Sequence, residues 1–207
     1  MSDIEKLKHA TYIIFHPFNG FYEMKYRGMG SFGIATTLFV LYGVMGILAF
    51  QYTGFIVKIN PLFRMNSISI FITTLFPYLL FIIGNWSVVT LFDGKGSLLD
   101  IYMVICYSLI PLIVFNFVGL IFSNFIILEE IAILNFFLAI GNIWFYFIAF
   151  CGLCTIHEYT VVTNIKTLVI TSAAVIIIIF LCMLYYTLIG NMVSFVSVLM
   201  KELLKRW

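Results

Sequence analysis

Few residues in this chain carry side chains able to do chemistry, and they gather in short stretches. His157 stands beside Glu158, a pairing suited to a general base and its orienting acid, and Asp93 is available to complete a hydrolytic or metal site. Adjacent residues on a helix point about 100° apart, so spacing alone does not make the pair converge. His9, His16 and His157 supply no ligand cluster, and neither Gly-x-Ser-x-Gly nor His-Glu-x-x-His occurs. Gly94-Lys95-Gly96-Ser97 invites comparison with a phosphate-binding loop, but that motif needs Lys directly followed by Ser or Thr. It also needs a second glycine where Val89 stands. Cys151-Gly-Leu-Cys154 has the spacing of half a zinc or redox site but lacks a second pair, and all four cysteines lie in apolar runs, where they read as packing residues. The sequence therefore assigns no catalytic, cofactor or metal residue, and a membrane hydrolase centred on His157 is the weakest reading.

The elements that hold these residues follow from composition. The chain is 63% hydrophobic and 10% charged, against roughly 25% charged in soluble domains. A net charge of +2 with no basic stripe excludes a nucleic-acid partner. Apolar runs of about twenty residues recur, each long enough to cross a ~30 Å hydrocarbon core. The fold class is an all-α membrane protein, a five-transmembrane-helix bundle with short interfacial helices at both ends. The spans are expected near 32–52, 67–90, 101–127, 132–154 and 167–189. Residues 1–31 form an interfacial amino-terminal segment, 32–190 the membrane domain and 191–207 an amphipathic tail. Before the first span, Ile4, Leu7, Thr11 and Phe15 share one helical face, and Pro17 should end that helix. The polar start predicts no cleavable signal peptide. No ionisable residue falls near the middle of a span, which argues against proton-driven transport. Asn116, Asn135 and Asn142 are expected to join helices by hydrogen bonds.

Five crossings put the two chain ends on opposite faces and bring three polar segments to one face. Glu23, Lys25 and Arg27 precede the first span. Asp93, Gly94, Lys95, Gly96 and Asp100 form the hairpin after the second, with Trp86 at the interface before it. His157, Glu158 and Lys166 lie between the fourth and fifth. Lys58, Arg64, Glu129, Glu130 and the tail fall on the other face. The motif face carries six Lys/Arg and the other five, so the positive-inside rule leans toward a cytoplasmic motif face. Asp93 or Asp100 is expected to pair with Lys25, Arg27 or Lys166, with His157 hydrogen-bonding among them. Such a cluster would lock the helices together and present a recognition surface.

The order of these signals resembles the bacterial branch of the Ypt-interacting-protein (Yip) family. The lead-in from Pro17 to Ser31 with Met24-Lys25-Tyr26-Arg27-Gly28, then Trp86 with Asp93-Gly94-Lys95-Gly96-Ser97, carry the likeness. Pro111, Trp144, Gly152, His157 and Lys166 continue it. The resemblance implies a five-helix bundle with a cytosolic amino terminus, and a plasma-membrane setting if the chain is bacterial. Eukaryotic relatives act in membrane traffic and associate with Rab-type GTPases; a long soluble amino-terminal region common in them is not expected here. The family has no generally established catalytic residues to carry over. The reading is a non-catalytic multi-pass membrane protein acting through protein interaction or membrane organisation. Its partners would be the lipid bilayer and another membrane or peripheral protein, a transporter component among them, with no cofactor. The alternative is an accessory or permease-like part of a transport system, or a lipid-handling protein.

Overall fold

The computed structural model describes residues 3–57 and 66–205. Among the described residues, seven α-helices run in chain order: α1 Asp3–Phe15, α2 Pro17–Tyr26, α3 Phe32–Tyr52, α4 Ser67–Val89, α5 Leu98–Phe122, α6 Ile131–His157 and α7 Val161–Lys205, with a 3₁₀ turn at Leu128–Glu130. Helices α3 to α7 are each long and apolar enough to cross a membrane. The all-helical five-span fold is therefore as the sequence predicts.

Helix ends follow local chemistry that hydropathy does not record. Pro17 ends α1 but also opens α2 from its first turn, where its missing N–H and fixed φ suit a helix start. The Asn66 side chain caps α4 by accepting from the Ile68 N–H at 2.7 Å. Helix α5 begins three residues before the expected span because Ser97 and Asp100 form a reciprocal capping box, each side chain accepting the other's backbone N–H at 3.2 and 2.9 Å. Helix α6 continues to His157 and stops where Glu158 takes a left-handed conformation, φ 56°. The Tyr159 N–H then donates to the Cys154 carbonyl at 3.0 Å, satisfying an acceptor freed by the helix end.

Helix α5 is the axis of the bundle. Its face from Ile101 through Leu112 is buried, and α3 and α6 pack along it. Small residues let the helices approach: Gly141 sits against Phe115, and Gly152 against Val104 and Phe21. Helix α4 lies on α3, α7 lies on α4, and the α1–α2 hairpin covers α6 and α5. Trp144 of α6 anchors that hairpin by donating to the Ile14 carbonyl at 3.3 Å.

Two expectations need correction. The tail is not a separate helix, because α7 runs unbroken through Gly190 and Asn191. For two of the three expected interhelical asparagines the structure also differs. Asn135 and Asn142 are exposed, and Asn142 donates to Leu138 of its own helix. Asn85 instead donates to Thr171 between α4 and α7 at 3.2 Å, Asn124 to the Tyr52 carbonyl at 3.1 Å, and Asn164 to the Phe150 carbonyl at 3.2 Å. These three occupy inward faces or helix ends where a partner backbone is within reach. Lys58, Arg64 and Arg206, assigned to the opposite face from sequence, lie outside the described residues.

Candidate functional site

Three segments distant in sequence meet at one end of the bundle: α2, the hairpin joining α4 to α5, and the end of α6. Lys25 extends from α2 and donates to two carbonyls, Lys95 of the hairpin at 3.1 Å and Ile156 of α6 at 2.5 Å. The second contact sets a cation on the carboxyl end of a helix, where the backbone dipole favours it. Beyond it, the Glu158 carboxylate takes an ion pair from Lys95 and a hydrogen bond from the Tyr26 hydroxyl, both at 2.5 Å. One carboxylate thus joins the hairpin and α2 to the end of α6.

Beneath this network the hairpin rests on a buried imidazole. His157 is 2% exposed, and its Nδ1 accepts from the Gly96 N–H at 3.1 Å. A Cβ at Gly96 would fall 2.5 Å from His157 Cε1, so only glycine permits this approach. Tyr159 stacks on the ring at 5.2 Å and donates to the Phe92 carbonyl at 3.2 Å.

The electrostatics follow from these contacts. Hydrogen bonds from Lys95 and Tyr26 hold the Glu158 carboxyl below its usual range. The same bond pushes Tyr26 up to about 12, since ionising the phenol would lose it and set two anions together. Burial lowers His9, against the opposing pull of Glu23 at 3.6 Å.

Of the residues singled out from sequence, Lys25, Lys95, Gly94, Gly96 and His157 come together here, with Glu23 and Arg27 at the edge. The expected pairings do not form. Arg27 pairs with Glu23 on its own helix at 2.9 Å, and Asp100 is committed to the Ser97 cap. Asp93 (φ 53°) and Lys166 are exposed, without an ion pair among the described residues. Trp86 is 43% exposed on α4, outside the network. The physical reason is local. A capping box satisfies Asp100 within its own turn, while the left-handed turn at Glu158 directs that carboxylate toward Lys95.

Tyr26, Tyr159 and the role of Glu158 as the junction were missed by sequence reasoning. A hydroxyl-bearing ring between two cations in Lys25-Tyr26-Arg27 was the one available signal. The carbonyl acceptors of Lys95 and Ile156 are backbone atoms and leave none. His157 and Glu158 turn to different partners, the Gly96 N–H for one and Lys95 and Tyr26 for the other. Among the described residues, no group of three or more His, Cys, Asp or Glu is placed to hold a metal ion. What the arrangement does is fix three segments into one polar platform, with Arg27 and Asp93 exposed beside it.

No curated protein and no solved structure matches the chain. A family model described as the Yip1 domain matches residues 11–197, taking in α2, the hairpin, the end of α6 and most of α7. With five helices able to span a bilayer and that match over nearly its whole length, the chain is a multi-pass integral membrane protein belonging to the Yip1-domain family.

Proposed function

We propose that this protein is a non-catalytic membrane scaffold that recruits a peripheral or membrane protein to the platform built from α2, the α4–α5 hairpin and the end of α6. The observation that carries the reading is the junction at Glu158, which ties Lys95 and Tyr26 to one carboxylate. A loop fixed in this way loses little freedom when a partner binds, so more of the contact energy appears as affinity. Arg27 and Asp93 offer charges of both signs at the rim, and Tyr22 and Tyr26 add exposed rings, side chains suited to a polar protein surface. The Lys/Arg distribution supports a cytoplasmic location for this face.

The test is photocrosslinking in native membranes from a photoreactive amino acid replacing Asp93. The expected product is one discrete protein adduct. It should be lost in Glu158→Lys and regained in the Lys95→Glu, Glu158→Lys swap, which rebuilds the junction with reversed charge. Adducts confined to this chain and to lipid would overturn the proposal.

A further inference from the structure

A cavity of about 750 Å³ lies among all five long helices, within the ~300–1,000 Å³ typical of small-molecule sites. Tyr42 of α3, Tyr78 of α4, Phe145 and Tyr146 of α6, and Leu168 and Ser172 of α7 form much of its wall. Tyr42, Tyr78 and Phe145 stand near the middle of their helices, so the cavity reaches the depth of the hydrocarbon core. From there it extends toward the platform end, where Leu153 and Leu168 line it.

Most polar groups of this wall are already engaged. The Tyr42 and Tyr78 hydroxyls bond each other at 3.0 Å. Thr74 donates to the Ile70 carbonyl at 2.8 Å, and Ser172 to the Leu168 carbonyl at 3.0 Å. Apart from the Tyr146 hydroxyl, the remaining lining is apolar. Water needs two to four polar partners to settle in a cavity, and these internal bonds leave it few. An empty void would forfeit the dispersion contacts of every side chain around it.

The cavity is also open on one side. Helices α6 and α7 meet mainly where the chain turns, at the Asn164 bond to Phe150. Tyr146 of α6 and Ser172 of α7 both line the cavity and are nevertheless exposed. In a bilayer the matter outside that gap is lipid tail. We propose that the cavity binds one acyl chain of a bilayer phospholipid, entering sideways between α6 and α7 from the platform half of the membrane. This site is separate from the platform and does not depend on a protein partner there.

The experiment uses the full chain in nanodiscs of phosphatidylcholine bearing a diazirine on one acyl chain, with adducts mapped by mass spectrometry after photolysis. Phe145 is 6% exposed and Ile105 2%, so tails passing along the outer surface do not reach them, whereas Phe136, 70% exposed and outside the cavity, reports that outer layer. Adducts at Phe145 or Ile105 are expected at yields within about threefold of Phe136. Ala149→Trp, which fills the cavity from α6, should cut the inner adducts at least about tenfold and leave Phe136 unchanged. If that variant fails to reconstitute, Ser172→Phe fills the space from α7 and serves the same comparison. Unlabelled Phe145 and Ile105 in the unaltered protein, or inner labelling that survives filling, would overturn the assignment.

Discussion

Lys25 spends its charge on two backbone carbonyls from different segments, Lys95 and Ile156. A hydrogen bond from a charged donor contributes ~1.5–3 kcal/mol, and removing it strands its acceptors. Lys25→Met keeps the apolar stem and should destabilise the fold by about that amount in a detergent denaturation series, while Lys25→Arg should lose less. Glu158 shows how the platform responds to acid. Its folded pKa lies below the unfolded one, so its contribution is fully present above the ordinary glutamate value of about 4.3 and is lost as pH falls through the lower, folded value. The thermal stability difference between the unaltered protein and Glu158→Gln should therefore hold near neutral pH and vanish in acid. His9, lowered by burial, binds a proton more readily once unfolded, so it erodes stability as pH falls below about 6.5. His9→Gln should flatten that slope in the same measurement.

At the level of elements, two contacts decide how the helices sit. Gly152 admits Phe21 and Val104 against α6, and Gly152→Leu should overpack that crossing at a cost of ~1–3 kcal/mol. Asn85 is 2% exposed and joins α4 to α7 through Thr171. Interhelical bonds of this kind average ~0.6 kcal/mol with a maximum near 1.7 in double-mutant cycles, so Asn85→Leu and Thr171→Val should show coupling in that range. Much of this layer was legible in the sequence. Phe32–Tyr52 is recovered with the expected bounds because its apolar run ends at polar or helix-breaking residues on both sides. The starts of α5 and α7 were placed too late, since capping and helical turns recruit polar residues that hydropathy excludes. The end of α7 was missed because one glycine costs a helix only about 1 kcal/mol, and the apolar residues around Gly190 favour continuing.

For the whole molecule, topology gives the most direct check. Cysteines replacing Asp93 and Lys166 should react with a membrane-impermeant thiol reagent from one side, and a cysteine replacing Glu129 from the other. Any other pattern would mean that one of the five helices does not cross. The convergence of three polar segments was readable by counting spans, but their partners were not, because those depend on a left-handed turn at Glu158 and on backbone carbonyls. The cavity was less legible still, since a void is a property of how side chains fail to meet and has no composition of its own. Helix α7 carries a further consequence. At 1.5 Å per residue, its 45 residues extend about 67 Å, and all its described side chains from Ile179 to Glu202 are exposed. Membrane helices tilt by up to ~40°, which still leaves a helix of this length far longer than a ~30 Å core. Hydrophobic mismatch of that size cannot be absorbed by leaning. Unbroken, the helix therefore projects past the far side of the hydrocarbon core, carrying the exposed Met192, Phe195 and Val196 out with it.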